Sequence, residues 1–229
     1  MCSMFKWLLA AHVLQMSEQA PALLAQQVRF DAAYLANLGY TPATRANLAR
    51  GWMTVEELAR AAVEQSDNGA ANLLLDGAMG PAGLTRFLRA NGDSVTRLDR
   101  VEPALNENEP GDARDTTTPD AMARTMARFL TTDAVLNAAS RDKLTGWLVA
   151  NQTGATRLRA GLPADWRAGD KTGTSIDGHN ATTDAAIAWP PGRAPIVIAC
   201  FLSDSTVDRE GRNGAHAEIA RIVAEIWSA

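Results

Sequence analysis

The sequence predicts an α/β fold of the α+β kind, in which a helical region is followed by an antiparallel sheet. Residues 1–150 carry helix caps and helical apolar spacing, whereas short apolar segments separated by turn signals begin after about residue 160. The last segment is amphipathic with the spacing of a helix. We therefore expect an all-α domain over residues 1–150 and a partial α/β domain over residues 151–229.

Helix starts in the first domain are predicted from their capping residues. Thr54-Val-Glu-Glu57 has the form of a capping box and opens a helix that runs through Gln65. The predicted starts of the later helices are at Gly80, Thr118 and Ser140, and Gly92 lies just after the end of the helix that Gly80 opens. Between Gly92 and Thr118 lies a long stretch without periodicity, which is typical of a functional loop.

Three strands are predicted in the second domain, over residues 166–175, 182–189 and 195–203. The connections between them are short and contain turn signals, at Asp177-Gly178 and at 190–192, so we expect an antiparallel meander. A closing helix is predicted over residues 215–227. Its apolar residues recur at helical spacing and predict one buried stripe, made of Ile219, Ile222, Val223, Ile226 and Trp227.

Composition excludes several classes of function. With 229 residues, 46% hydrophobic content and a net charge of −4, the chain lacks the basic surplus that nucleic-acid binding requires. Its apolar runs are too short to span a bilayer, which takes roughly 18 to 20 residues. His12, His179 and His216 are scattered without ligand spacing, and Cys2 and Cys200 do not form a metal-type pair. We therefore expect no metal, no cofactor, no nucleic acid and no membrane partner.

Ser3 and Lys6 are the most informative pair of residues, because a lysine stands in an almost wholly apolar run. Residues three apart share a helix face, so the amine would lie beside the hydroxyl and could activate it as a nucleophile. An equally good interpretation is a serine cap followed by a lysine whose amine reaches solvent. The pair alone does not decide between them.

Further motifs decide in favour of a catalytic site. The triplets Ser66-Asp67-Asn68 and Lys171-Thr172-Gly173 follow in order, and Glu102-Pro-Ala-Leu-Asn106 lies between them. With Ser3-x-x-Lys6, these motifs resemble the signature of the class A serine β-lactamases. The resemblance runs from Met1 to Ala229 and implies the β-lactamase/transpeptidase-like fold, a monomer and a small β-lactam as substrate. It also implies a periplasmic or secreted protein.

The resemblance implies a role for each catalytic residue. Ser3 would attack the β-lactam carbonyl, and either Lys6 or Glu102 acting through a water would take its proton. Glu102 and Asn106 would hold the water that hydrolyses the acyl-enzyme. Ser66 would pass a proton to the departing lactam nitrogen, with Lys171 beside it.

The resemblance also implies the substrate-binding residues. Asn68 would bind the side-chain amide of the substrate, and the backbone N–H groups of Ser3 and Thr174 would form the oxyanion hole. The recess for the substrate carboxylate would be formed by Lys171, Thr172, Gly173 and Thr174 together with an arginine. That arginine is Arg157 by its spacing, with Arg209 or Arg212 as the fallback, whereas Arg159 is expected to be structural.

Two further features follow from the family pattern. Tyr40 resembles the aromatic residue that borders the cleft, although packing on Pro42 in a turn explains it equally well. The long loop before Thr118 resembles the family's omega loop, whose ends we expect to be tied by an ion pair between Arg100 and Asp115.

The chain departs from the family pattern at its start, which lies two residues before Ser3. The first helix and two strands of the family are not expected in it, and neither is the signal peptide. The last predicted strand would then be an apolar edge, which favours aggregation. Two other functions therefore stay open: an acylatable or inactive penicillin-binding fragment, and a related D,D-peptidase, against which Glu102 and Asn106 argue.

Overall fold

The structure, a computed structural model, describes residues 1–175 and 180–228. The predicted turn at Asp177-Gly178 and the predicted non-ligand His179 lie outside the described residues. The helices of the described residues are α1 (Phe5–Gln19), α2 (Ala32–Leu35), α3 (Pro42–Ala46), α4 (Val55–Glu64), α5 (Asn68–Gly77), α6 (Gly80–Ala90), α7 (Pro119–Thr131), α8 (Ala138–Val149), α9 (Leu158–Gly161) and α10 (Arg209–Ser228). The strands are β1 (Gln27–Arg29), β2 (Trp52–Thr54), β3 (Arg167–Thr174), β4 (Thr182–Trp189) and β5 (Ile196–Leu202).

Helix α1 runs through the centre of the main hydrophobic core. Every residue from 4 to 14 is buried, because α4, α5, α6 and α8 all pack around this helix. A helix that is apolar on all sides is typical of such a central position. A short 3-10 turn, Cys2–Met4, precedes α1 and places Ser3 at the edge of this core.

The sheet of β3, β4 and β5 is an antiparallel meander in that order, as predicted. One face packs on α7 and α8, and Ala185 and Ile187 of β4 belong to the same core as α1. The other face carries Ala186 and Ile198 and is covered by α9 and α10. The sheet therefore lies between the helical core and the closing helix, and the α+β prediction is confirmed.

The helical region differs from the prediction in three places. Strands β1 and β2 form a short antiparallel pair in a region predicted to be all helical. Helix α5 was not predicted, although Asp67 caps it by accepting the N–H of Ala70 at 2.8 Å. Ser140 is not the cap of α8, because it lies inside the helix and donates its backbone N–H to the Asn137 side chain.

The predicted buried stripe of the closing helix is wrong. Helix α10 begins at Arg209, six residues earlier than residue 215, and packs through small or polar residues. Its buried residues are Arg212, His216, Ala220 and Ala224, whereas Ile219, Ile222, Ile226 and Trp227 are exposed and Val223 is half-buried.

The reason for this difference is a close helix contact. A Cβ at Gly161 of α9 would lie 1.8 Å from the backbone oxygen of Ala217, so only small residues fit between α9 and α10. Strand β5 pairs only with β4 among the described residues, so its other edge is open, as the sequence predicted. None of the described helices has the length and apolar character needed to cross a membrane.

Candidate active site

Lys6 lies at the centre of a ring of oxygen atoms. Its Nζ donates to Oγ of Ser3 at 2.9 Å, to the backbone oxygen of Ser66 at 2.7 Å and to Oδ1 of Asn68 at 2.6 Å. It also forms an ion pair with Oε1 of Glu102 at 2.9 Å. Lys6 is fully buried, and Ser3 makes no capping hydrogen bond. The alternative of a serine cap with a solvent-reaching lysine is therefore wrong.

The turn between α4 and α5 carries Ser66-Asp67-Asn68. The side chain of Asp67 accepts the backbone N–H of Thr44 at 2.9 Å, which anchors the turn on α3. Ser66 has a left-handed φ of 57°, which is uncommon for a residue with a side chain. Nδ2 of Asn68 donates to the backbone oxygen of Leu38 at 2.7 Å and carries a second N–H, which remains for a ligand.

Lys171 enters the site from strand β3 on the side opposite α1. Its Nζ donates to Oγ of Ser66 at 3.0 Å and to the backbone oxygen of Thr172 at 2.9 Å. Lys171 is fully buried, and burial, reinforced by the charge of Lys6, lowers its pKa to about 7. Its charge therefore changes near neutral pH.

Glu102 reaches Ser3 from the long loop between α6 and α7. Its Oε1 accepts the hydroxyl of Ser3 at 3.3 Å, and its Oε2 accepts the side-chain amide of Asn106. The backbone of Glu102 is held by Asn72 of α5, which accepts its N–H at 3.0 Å and donates to its oxygen at 2.9 Å. The carboxylate is thus buried, with one oxygen bound by Ser3 and the other by Asn106, and the backbone of Glu102 is held by Asn72.

The ends of this loop are joined by Arg100 and Asp115. Nε of Arg100 lies 2.6 Å from Oδ2 of Asp115. Oδ1 of Asp115 accepts the backbone N–H groups of Asp99 at 2.7 Å and of Arg100 at 2.9 Å. A single buried carboxylate therefore closes the loop near its base.

Arg157 lies behind strand β3 and is almost completely buried, with 5% exposure. Its Nη1 donates to the backbone oxygens of Gly173 and Thr183, both at 2.8 Å, and its Nη2 donates to Oγ1 of Thr174 at 2.7 Å. Its Nε donates to Oδ1 of Asn213 at 2.9 Å. Burial lowers the pKa of this guanidinium from its ordinary value. Arg157 can therefore act on a substrate through Thr174 and through its charge.

The fallback arginines differ from each other. Arg212 is buried in α10 and donates to the backbone oxygen of Val207, away from the cleft. Arg209 is exposed and lines the cleft. Arg159, predicted to be structural, pairs its Nε with Oδ1 of Asp170 at 2.7 Å.

Two buried carboxyl groups lie beneath the β3–β4 part of the site. Asp170 and Asp184 are both fully buried, and Oδ2 of Asp184 accepts the backbone N–H of Leu158 at 3.0 Å. Burial raises the pKa of both groups, and the neighbouring Asp170 charge raises that of Asp184 further. Arg159 partly offsets the effect at Asp170, so the upward pKa shift is greater at Asp184.

These residues surround one cleft of about 480 Å³. Tyr40 is 59% exposed at its rim, and its backbone oxygen accepts the N–H of Asn68 at 2.9 Å. The lining residues are Ser3, Tyr40, Ser66, Asn68, Asn106, Thr153, Thr156, Arg157, Thr172, Gly173, Thr174, Ser175, Arg209 and Asn213. A hydroxyl at the end of a buried helix, two lysines and a fixed glutamate meet at this cleft, which suits acyl transfer.

Comparison with known proteins identifies the family. The model of the β-lactamase enzyme family matches residues 1–227. The β-lactamase of Streptomyces fradiae is 48% identical over 225 residues, which are 97% of this chain and 72% of that protein. The chain belongs to the class A β-lactamases. The carbapenem-hydrolysing β-lactamase KPC of Klebsiella oxytoca is 44% identical, over 98% of this chain and 75% of that protein.

Solved class A β-lactamases also share the fold. An ancestral class A β-lactamase, that of the last common ancestor of Gram-negative bacteria, is 54% identical with a TM-score of 0.94, and the match covers 99% of this chain and 85% of that one. A β-lactamase from Xanthomonas campestris is 46% identical with a TM-score of 0.93, over 99% of this chain and 83% of that one. The predicted family and fold are confirmed.

Sequence reasoning missed three residues that shape this class A site. Asn72 holds the Glu102 backbone, Oγ1 of Thr153 lies 2.6 Å from Oγ1 of Thr172, and Asn213 joins Arg157 to Thr156. Asn72 lies four residues after Asn68, on the same face of α5, and that spacing is the signal that could have found it. The others act through contacts between distant segments, which leave no local pattern.

Proposed function

We propose that the chain hydrolyses β-lactams through an acyl-enzyme formed on Ser3. The observation that carries the proposal is the position of its hydroxyl, 2.9 Å from Nζ of Lys6 and 3.3 Å from Oε1 of Glu102. A serine is a weak nucleophile until a neighbouring base takes its proton. Both candidate bases, Lys6 and Glu102, contact the hydroxyl of Ser3.

In the acylation step, the oxygen of Ser3 bonds to the lactam carbonyl carbon and the ring C–N bond breaks. The proton of Ser3 passes to Lys6, or to Glu102 through a water, and both routes stay open. The developing negative charge on the carbonyl oxygen is stabilised by the backbone N–H groups of Ser3 and Thr174. These groups are preorganised because the first lies at the start of a helix and the second at the end of a strand.

The departing lactam nitrogen takes a proton from Ser66, which lies between the two lysines. Ser66 recovers a proton from Lys6, whose Nζ lies 3.4 Å from its Oγ, so the proton lost by Ser3 ends on the nitrogen. Lys171 donates to Oγ of Ser66 at 3.0 Å, and this hydrogen bond directs the hydroxyl proton of Ser66 towards the cleft. A charged Lys171 also attracts the carboxylate of the substrate. This residue thus serves both proton transfer and binding.

In the deacylation step, Glu102 takes a proton from a water that attacks the acyl carbonyl carbon. The Ser3 oxygen leaves and recovers its proton, and the ring-opened acid is released. Asn106 fixes Glu102 and provides the second contact for the water. Because Asn72 holds the backbone of Glu102 and Asn106 holds its carboxylate, this group is positioned for its role before substrate arrives.

Substrate is bound along strand β3. The ring carboxylate lies against the hydroxyls of Thr172 and Thr174, next to the Gly173 backbone, and the charge of Arg157 acts through Thr174. Asn68 binds the side-chain amide with its remaining N–H, and Tyr40 borders the opening. The β-lactamase names of the relatives support this substrate class. The family also supports a periplasmic or secreted location.

A nitrocefin assay with burst analysis tests this function against both alternatives. Sustained turnover is expected for a lactamase. A stoichiometric burst without turnover indicates a protein that is only acylated, and no colour change indicates an inactive fragment. A D,D-peptidase would release D-alanine from a peptide ending in D-Ala-D-Ala and would turn over nitrocefin poorly. Sustained peptidase activity with a nitrocefin burst alone would overturn the proposal.

A further inference from the structure

The lining of the cleft is positively charged and carries no carboxylate among the described residues. Of the side chains that line it, only Arg157 and Arg209 are charged. Lys6, Lys171 and Glu102 lie beneath the lining and are fully or almost fully buried. The cleft therefore presents two guanidinium groups, whereas the ring carboxylate of a β-lactam supplies one negative charge.

The hydrogen-bonding capacity of Arg157 is largely used within the protein. Its three nitrogen atoms donate to Gly173, Thr183, Thr174 and Asn213, and only 5% of the residue is exposed. The guanidinium is thus built into the wall of the cleft. Held in this position, it can attract one anion bound next to Thr174 but cannot move to bind a second one.

Arg209 differs from Arg157 in both exposure and hydrogen bonding. It is exposed, and it has no hydrogen bond or ion pair with any residue in the described part of the chain. Some other exposed arginines are paired with acids, as in Arg124 with Asp120 at 2.9 Å and Arg114 with Asp112 at 2.7 Å. Arg209 is flanked in sequence by Asp208 and Glu210 but forms an ion pair with neither, and Oδ1 of Asp208 instead accepts the N–H of Gly211 at 2.8 Å.

The position of Arg209 places it beyond the carboxylate recess. It is the first residue of α10 and precedes Asn213 by four residues, so both side chains lie on one face of the helix. Asn213 accepts from Nε of Arg157 and donates to Oγ1 of Thr156 at 3.2 Å, and so occupies the cleft lining beside Arg157, one helical turn after Arg209. An anion at Arg209 would therefore lie next to the ring carboxylate and separate from it.

We propose that Arg209 forms a second anion subsite, which favours β-lactams that carry another acidic group on the ring substituent adjacent to the ring carboxylate. Cephalosporins with a carboxylate on the C3 substituent have this arrangement. The proposal rests on the β-lactam hydrolysis proposed above and adds a specificity determinant to it. Because Arg209 is exposed, its effect is modest, about fivefold in rate, as for a surface ion pair.

The test compares two cephalosporins that differ only in the C3 substituent, which ends in a carboxylate in one and in the matching primary amide in the other. The second-order rate of acylation of Ser3 is measured by rapid-quench intact-mass spectrometry, for the wild type, Arg209→Gln and Arg209→Glu. The control is Arg193→Gln, which removes the same charge from an exposed turn outside the cleft.

We expect Arg209→Gln to lower the acid-to-amide ratio of rates about fivefold, Arg209→Glu to lower it further, and Arg193→Gln to leave it unchanged. The wild-type ratio should fall as salt rises, because an exposed ion pair is screened. An equal loss for both cephalosporins would assign Arg209 to the shared ring carboxylate and overturn the proposal. An unchanged ratio in both Arg209 variants would overturn it as well.

The acylation rate separates this proposal from the proposed function. If the wild type is acylated but does not turn over, the proposed hydrolysis is wrong. The Arg209 subsite is still tested in that case, because the acid-to-amide ratio of acylation rates is measured before deacylation. A wild type that forms no adduct on Ser3 would remove the proposed function, and the subsite with it. If the wild type turns over normally but the acid-to-amide ratio of acylation rates is unchanged in the Arg209 variants, only the proposed subsite is wrong.

Discussion

The hydroxyl of Ser3 lies 3.3 Å from Oε1 of Glu102, although the two residues are 99 positions apart in the chain. Two separate supports produce this contact. The helix α1 holds Ser3 at the edge of the core, and Asn72 of α5 holds the backbone of Glu102. The geometry of the nucleophile and the proposed base for deacylation is therefore supported by the helical core.

Replacing Glu102 by Gln should stall deacylation while acylation continues at a reduced rate, because Lys6 still contacts Ser3. An adduct on Ser3 should then persist after a slowly processed penicillin is added, and intact-mass spectrometry would detect it. Wild-type release from this variant would contradict the assignment. Ser3→Ala should show no adduct, and Glu218→Gln, an exposed acid on α10, should behave as the wild type.

The pKa of Lys171, lowered to about 7, predicts a pH dependence of substrate capture. The amine is charged below this pH and neutral above it, so its attraction for the substrate carboxylate is lost as pH rises. We expect kcat/KM for an anionic penicillin to fall as pH increases through about 7. The pH–rate profile of the wild type measures this.

The matched variant is Lys171→Arg, whose side chain keeps its charge throughout this range. Its kcat/KM should be lower but should not show the fall near pH 7. A wild-type profile that stays flat from pH 6 to 9, or a variant that keeps the same inflection, would show that Lys171 is not the titrating group.

Arg157→Ala should weaken the capture of free-acid penicillins, because charge-assisted hydrogen bonds contribute about 1.5 to 3 kcal/mol. This corresponds to a loss of about 10- to 150-fold in kcat/KM, and a penicillin ester should lose much less. The comparison of ester and acid is the measurement. Equal losses would mean that the change acts by loosening Gly173 and Thr183, whose backbone oxygens Arg157 also binds.

The buried carboxyl pair predicts unequal effects of two similar substitutions. Burial and the neighbouring Asp170 raise the pKa of Asp184 well above its ordinary value, so we expect this group to carry a proton. Asp184→Asn would then replace a neutral group by one of the same shape and should change the free energy of unfolding by less than about 1 kcal/mol. Asp170→Asn leaves Arg159 without its partner and should cost about 3 kcal/mol or more.

Urea unfolding at pH 7 measures both changes, and each should leave the slope of the transition unchanged. If Asp184→Asn were the more damaging of the two, the proton would reside on Asp170 instead. An infrared band of a protonated carboxyl group that persists at pH 7 and disappears in Asp184→Asn is the independent check.

Local patterns in the sequence predicted the parts of the fold that depend on local physics. The three-residue spacing of Ser3 and Lys6 placed them on one helix face, and the predicted strand of residues 195–203 matches β5 within a residue at each end. The capping box at Thr54 forms as predicted. Each of these signals lies within a few residues of the feature it describes.

Features that depend on contacts between distant segments were not predictable in this way. The apolar residues of α10 suggested a buried stripe, but the contact of Gly161 with Ala217 turns the small residues inwards and leaves Ile222 and Ile226 exposed. Arg157 is bound by backbone oxygens of β3 and β4, and a backbone oxygen carries no sequence signal.

The two hydrogen bonds between Asn72 and the backbone of Glu102 have a consequence for how this protein can change over generations. They involve only the main chain of Glu102, and Arg100 closes the loop at its base with Asp115 and Glu107, so the mostly exposed segment at residues 108–114 lies outside these contacts. Mutations there can accumulate and alter the outer surface of the loop while the glutamate keeps its place. Asn72, remote in sequence and touching no reacting atom, is nevertheless a residue whose loss evolution should tolerate poorly.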